Sequence, residues 1–207
     1  MKALPTTLEE AWALLQESEP GTSPFCEARN SVIHGQGVFA TETIRKGWPV
    51  IAYAGEKVTK DEGNRRGLAQ AEKAKQTGEA AVYVFILNDE WDIDGNFDYN
   101  TARLINHSCQ PNCETEIDQD RIWVVALKKI RKGEELSFDY GFDLDDFEDH
   151  PCLCGTDDCC GYIVGQDYRV KLAKKLKKRR KAARKKKGKA SKKKGKGQKR
   201  GPKGPPP

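Results

Sequence analysis

The sequence predicts a mainly β fold with minor α content, built from small sheets. Two observations carry this expectation. From Cys26 onward, short β-branched and aromatic runs alternate with glycine turns. There is no strand–helix–strand rhythm of the kind a doubly wound nucleotide-binding sheet requires. A third observation sets a boundary: the chain ends in a long lysine-rich run that cannot supply a core.

The N-terminal element comes first. In "MKALPTTLEEAWALLQ", Thr7 and Glu10 have the spacing of a capping box, and Leu8, Trp12 and Leu15 fall on one helical face. This predicts a short amphipathic helix docked on the domain. "CEARNSVIHGQGVFATETI" reads as two strands around a Gly-rich turn, and "WPVIAYAGEKV" as another strand. "TKDEGNRRGLAQAEKAKQTG" is polar with helical propensity, hence an exposed helix or insert. "AVYVFILN" reads as a clean buried strand, "WDIDG" as a short strand or turn, and "DRIWVVALKKI" as a strong strand. "RKGEELSFDYG" is a turn entering a last strand.

Charge is divided along the chain. Of 37 Lys and Arg and 31 Asp and Glu, Gln166 to Pro207 holds 21 basic residues and one acid, Asp167, which leaves 16 basic and 30 acidic residues before it. The body is therefore near −14 and the tail near +20. Like-charge repulsion, Gly and Pro predict a mostly disordered tail. A basic helix could form at its start, with Val170, Leu172 and Leu176 as its apolar markers. Such a run is either a solvated solubility tail or, the reading preferred here, a nucleic-acid arm that neutralises phosphates without sequence preference.

No segment has the length and apolarity of a transmembrane helix. Glu9 and Glu10 interrupt the N-terminal apolar stretch, so it does not read as a signal peptide. Seven cysteines in such a chain argue for metal rather than disulfides. "CLCGTDDC" places Cys152, Cys154 and Cys159 around a glycine turn, a spacing suited to gripping one Zn²⁺. The fourth ligand must come from elsewhere, and Cys160, Cys109, Cys113, Cys26 and His107 are the candidates. The cluster "NTARLINHSCQPNCE" could equally hold a metal, a Cys-His nucleophile pair or a turn.

"INHSCQPNCE", then "IRKGEELSFDYG", then "CLCGTDDCCGYI" resemble the SET-domain protein-lysine methyltransferases with a post-SET zinc segment. "HGQGVFA" and "VIAYAGE" match the family's earlier motifs in the right order, and the resemblance covers Cys26 to Gln166. It implies a SET fold of small curved sheets around a knot-like core, in which the "NHSC" and "SFDY" segments thread past each other. The implied organisation is an N-terminal helix and linker over 1–25, a SET domain over 26–145, a post-SET zinc segment over 146–165 and the basic tail over 166–207. The resemblance gives Asn106 and His107 to S-adenosylmethionine contact and Cys109 to the zinc, beside Cys152, Cys154 and Cys159. Ser108 and the Pro111-Asn112 turn become structural, and Cys113 a core thiol. Tyr140 resembles the catalytic tyrosine, Tyr83 the second tyrosine of the lysine channel, and Phe138 the residue that sets how many methyl groups fit; Phe there favours di- or trimethylation. Gly35, Gln36, Gly37, Tyr53 and Tyr162 complete the implied cofactor site. The sequence departs from the pattern in lacking a cysteine-dense pre-SET cluster, in carrying Tyr99 before Asn100, and in Cys160 where Arg is frequent.

The implied activity is S-adenosylmethionine-dependent methylation of lysines in basic proteins such as histones or histone-like DNA-binding proteins. The acidic body should attract such substrates, and the chain's own tail is a tethered one. "DLDDFEDH" comes soon after Tyr140, on the side expected to line a peptide groove. Two alternatives stay open: a silent SET scaffold that docks on chromatin or DNA through the tail, and a methyltransferase for a ribosomal or metabolic protein. A monomer inside the cell is expected, in the nucleus or on the chromosome of a eukaryote, or in the cytoplasm and nucleoid of a bacterium.

Overall fold

The computed structural model describes residues 4–77 and 83–195. Helix α1 (Leu8–Gln16) precedes strands β1 (Cys26–Asn30), β2 (Gln36–Ala40), β3 (Pro49–Tyr53) and β4 (Glu56–Thr59). Helix α2 (Lys60–Thr77), β5 (Val84–Ile86) and β6 (Trp91–Asp94) come next, then β7 (Asn106–His107), β8 (Cys113–Asp118), β9 (Arg121–Ala126), β10 (Ser137–Phe138) and α3 (Gln166–Gly195). The strands form four small sheets: β1-β2, β3-β9-β8, β4-β6-β5 and the parallel pair β10-β7. This is the mainly β architecture of small sheets that the sequence predicted.

The capping box of α1 is present: Glu10 N donates to Thr7 Oγ1 at 3.2 Å and Thr7 N to Glu10 Oε2 at 3.2 Å. Ala11 and Leu15 are buried, and the Trp12 ring meets Trp123 of β9 edge to face at 5.0 Å. Leu8, expected on this face, is exposed instead. It lies in the first turn, and Ala11 is the buried residue there.

"WPVIAYAGEKV" is two strands rather than one. A Cβ on Gly55 would come within 2.1 Å of the Asp94 carbonyl oxygen, so the chain passes closely over β6 as it moves between sheets. "AVYVFILN" is not a buried strand. β5 is an edge, with Val84 and Phe85 partly covered and Ile86 69% exposed, and Ala81 and Val82 lie outside the described residues. "CETEID" forms β8, hairpinned to β9 through Gln119 and Asp120, both at positive φ (48° and 59°). Neither is glycine, so the turn carried little signal.

The main core gathers Val38, Ile44, Ile51, Ile105, Ile122, Ile130 and Leu136, with Cys26 and Cys113 among them. A second, small core of Phe147, Val164 and Leu172 attaches the C-terminal segment. It anchors the start of the basic helix that the sequence left possible, which runs over Gln166–Gly195. Leu172 is 0% exposed and Leu176 partly buried, which anchors the first turns; Val170, the third apolar marker, faces outward at 66%. Residues 196–207 lie outside the described residues. No described helix is long and apolar enough to cross a membrane.

Leu15→Ala should lower stability by about 2–5 kcal/mol, the usual cost of a buried leucine truncation. Urea unfolding checks this through an unchanged slope and a lower midpoint.

Candidate active site

The site is assembled where β7 and β10 run side by side. Asn106 pairs with Ser137 and His107 with Phe138 in a parallel ladder, so the "NHSC" and "SFDY" segments are direct neighbours. Asn112 fastens the pair: its Oδ1 accepts from Ser137 N at 2.8 Å and its Nδ2 donates to the Glu135 carbonyl at 2.8 Å. Ser108 Oγ accepts from Gln110 N at 3.1 Å. Both residues do structural work here, as the resemblance implied.

On one side lies a pocket of about 610 Å³ that gathers Tyr53, Tyr83, Phe138, Tyr140 and Phe142. Phe138 and Tyr140 stand 5.1 Å apart, and Tyr140 and Phe142 5.7 Å. Tyr140 Oη donates to the Ile105 carbonyl at 2.9 Å, and Tyr53 Oη to the Tyr83 carbonyl at 2.8 Å. Burial pushes both phenols well above the ordinary tyrosine range, so each stays a neutral hydrogen-bonding group rather than a phenolate base. Asp143, Asp145 and Asp146, from the acidic run after Tyr140, are exposed and line the same pocket, as do His150, Tyr168 and one cation, Arg103, which pairs with Asp98.

On the other side, Asn106 meets the Gly-rich turn. Its Nδ2 faces Glu135 Oε1 at 2.8 Å, Gln36 O at 3.1 Å, Ser31 Oγ at 3.2 Å and His34 O at 3.3 Å. An amide has two protons, so these acceptors share them. Gly35 holds φ +47° with open space around it, whereas a Cβ on Gly37 would fall 2.2 Å from Glu135 Oε1. A side chain at 37 would therefore displace the Glu135 carboxylate from Asn106, a constraint from outside the turn that the local sequence does not show.

His107 sits between the two sides. Its Nδ1 accepts from Tyr140 N at 3.2 Å, which puts the proton of the neutral ring on Nε2, 3.7 Å from Cys109 Sγ. Burial lowers its pKa to about 4, the nearby Asp139 carboxylate opposing and Arg169 reinforcing the shift.

The sulfurs of Cys109, Cys152, Cys154 and Cys159 lie within 4.8 Å of one another. Cys109 and Cys152 are 3.9 Å apart, close to the ~3.8 Å edge of a tetrahedron with Zn–S bonds of about 2.3 Å. Burial pushes the Cys109 thiol up to about 12 and that of Cys152 higher still. At Cys154 burial acts the same way, but hydrogen bonds led by the Thr156 hydroxyl outweigh it and lower the pKa to about 6. Four thiols packed so tightly favour the thiolate form together only around a cation, so the donor set fits a closed tetrahedral ion. Cys160 is turned away, its thiol donating to the Tyr162 carbonyl at 3.1 Å. Cys26 and Cys113 are in the main core.

The predicted residues are therefore brought together in three groups. Tyr53, Tyr83, Phe138 and Tyr140 share the pocket, Asn106 meets the turn of Gly35, Gln36 and Gly37 with His107 between it and Tyr140, and four cysteines cluster. Tyr162 stands apart from the pocket, packed edge to face on Phe147 at 4.9 Å. Sequence reading missed Glu135, Asp139 and Arg169. Arg169, which reaches both Asp139 and Cys109, was hidden among 21 tail cations.

A mainly β domain whose Asn-His strand lies parallel to a Ser-Phe strand, between a tyrosine-lined pocket and a four-cysteine cluster, has the organisation of a SET-type domain. The sequence matches the SET domain family over residues 35–141, and the chain belongs to that family. It is 41% identical over 135 residues to histone-lysine N-methyltransferase trr of Drosophila melanogaster, covering 62% of this chain and 5% of that protein. It is 37% identical over 134 residues to histone-lysine N-methyltransferase 2D of Homo sapiens, covering 62% and 2%. To an H3 lysine-4 specific histone-lysine N-methyltransferase of Neurospora crassa it is 37% identical over 141 residues, covering 64% and 10%. The chain thus spans a small fraction of the length of these relatives.

Two outcomes test the site's chemistry. Alkaline spectrophotometric titration should show two phenols, Tyr53 and Tyr140, that ionise only when the protein unfolds. Co²⁺ added to metal-stripped protein should give the visible bands of one tetrahedral thiolate site per chain, lost in Cys154→Ser.

Proposed function

We propose that the protein is an S-adenosylmethionine-dependent protein-lysine N-methyltransferase acting on basic tails such as those of histones or histone-like DNA-binding proteins. The observation that carries this reading is the pocket, with an aromatic interior, a neutral tyrosine in its wall and three exposed aspartates in its lining. Exposed acids draw in a cationic tail and raise its local concentration. The interior then disfavours the ammonium form of the lysine, whose free pKa is about 10.4, and so favours the nucleophilic amine. Tyr140, held protonated and hydrogen-bonded to Ile105, orients that amine rather than deprotonating it. Positioning supplies most of the acceleration. Tyr83 would narrow the channel, and Phe138, which lacks a hydroxyl to hold the amine, would leave room for two or three methyl groups.

S-adenosylmethionine supplies a methyl already activated on a cationic sulfur, so neither a metal nor a covalent nucleophile is needed at the reacting atoms. Gly35, Gln36, Gly37, Asn106 and His107 are the residues we assign to holding it, with Tyr53, in the pocket wall, as an aromatic neighbour. The four cysteines would hold a structural Zn²⁺ that clamps the C-terminal segment onto the "NHSC" loop. The exposed cations of α3 would contact nucleic acid by phosphate neutralisation, which suits a monomer working on chromatin or a nucleoid. Lysines of the tail itself are tethered near the pocket, at an effective concentration on the order of millimolar, and become automethylated.

Purified full-length protein with methyl-labelled S-adenosylmethionine and core histones tests the reading. Label on histones or tail, reduced at least about 100-fold in Tyr140→Phe, is the expected result. Labelling that survives Tyr140→Phe would remove the tyrosine from its role. Phe138→Tyr should shift products toward monomethyl-lysine, read by mass spectrometry.

A further inference from the structure

The first turn of α3 is tied to the Tyr140 strand more firmly than an appended tail requires. Asp139 lies between Phe138 and Tyr140. Its Oδ2 accepts from the Gln166 N–H at 2.9 Å and from Arg169 Nη2 at 2.7 Å, and its Oδ1 accepts from Gly141 N at 3.1 Å. The carboxylate thus caps α3 from another element, at the end where the helix dipole favours an anion. Arg169 uses its other donors as well: Nη1 to the Cys109 carbonyl at 2.7 Å and Nε to the Val164 carbonyl at 3.0 Å. Its side chain is 17% exposed and that of Asp139 21%, so the pair is largely withdrawn from water. Beside it Gly165 N donates to Phe142 O at 2.8 Å, and a Cβ on Gly165 would lie 3.0 Å from Gly141. One guanidinium therefore touches the loop of the cysteine cluster, the carboxylate next to Tyr140 and the chain entering α3.

We propose that Arg169 is a positioning residue for Tyr140, which makes the start of α3 part of the active site. This rests on the reading of Tyr140 as the tyrosine of methyl transfer. The β10 ladder ends at Phe138; beyond it Tyr140 N–H is held by His107 and Gly141 N–H by the Asp139 carboxylate, and that carboxylate is itself fixed by Gln166 and Arg169 at the start of α3. Without Arg169, a mostly buried carboxylate loses its counter-charge and turns toward water, carrying the neighbouring peptide with it. The Tyr140 N–H bond to His107 and the Tyr140 Oη bond to Ile105 then lose their common frame. A lysine at 169 keeps the charge but cannot make three bonds in three directions, because only the planar guanidinium has that fork.

The test uses full-length, metal-loaded protein with S-adenosylmethionine and a basic histone-tail peptide. Turnover is expressed per donor-binding site, counted by equilibrium dialysis. Arg169→Ala should lower kcat about 10- to 100-fold with KM for the peptide little changed and metal content retained. Arg169→Lys should fall between it and the parent, and Val170→Ala, on the same turn but exposed, should match the parent. Wild-type turnover per binding site in Arg169→Ala overturns the proposal. If that variant does not fold, Asp139→Asn, which keeps the shape and removes the charge, must lower kcat in the same sense or the proposal fails. If the parent itself methylates nothing, the methyltransferase reading falls, and hydrogen exchange decides the positioning role. Faster exchange over 137–142 in Arg169→Lys, with β9 unchanged, supports it, and unchanged exchange there overturns it.

Discussion

Between Asn106–His107 and Ser137–Phe138 the chain makes a parallel ladder two residues long, and the site is arranged around it. So short a ladder has little strength of its own. It persists because Asn112 bonds to both Glu135 and Ser137 from the connecting turn, and because Ile105 and Leu136 beside it are fully buried. Everything else takes its position from this seam. Asn106 reaches one way to the Gly35 turn, Tyr140 reaches the other way into the aromatic pocket, and Cys109 leaves the seam toward the cysteine cluster. A buried amide that satisfies several partners at once is costly to replace, which makes Asn112 as constrained as the residues that face a ligand.

Much of this was legible in the sequence, where residue chemistry forces a local answer. Thr7 with Glu10 announced a helix start, and the cysteine spacing around Gly155 announced a metal grip. Spacing alone left the fourth sulfur open among several candidates, since nothing local joins Cys109 to Cys152. What stayed illegible depends on distant neighbours. Gly55 divides a continuous apolar run because Asp94 passes against it, and β5 is an edge because no strand covers its far side among the described residues. Gly37 looked like a turn glycine, but the space beside it is taken by a carboxylate nearly a hundred residues away. Arg169 is the plainest case, one cation among many and distinguishable only by what it touches.

Electrostatics divides the molecule as the charge count implied, with one refinement. The basic helix does not stand clear of the acidic body. Arg179 pairs with Glu148, Lys175 lies 4.8 Å over the Phe147 ring, and Arg169 pairs with Asp139. Phe147 also packs on Tyr162, so a small aromatic and aliphatic core binds the C-terminal segment and the helix into one piece. Exposed pairs of this kind contribute little to stability on their own. The buried Leu172 and the largely withdrawn Arg169 contribute more, by fixing where the helix starts.

The connectivity of the seam bears on the order in which the chain comes together. The β1-β2 and β8-β9 hairpins join neighbours in sequence and can close within microseconds. The β7-β10 pairing joins segments about thirty residues apart, with the β8-β9 hairpin as the intervening loop. Its closure waits for that hairpin to shorten the path, and α3 has no carboxylate to cap it until Asp139 is in place. The Tyr140 pocket should therefore be among the last features to form.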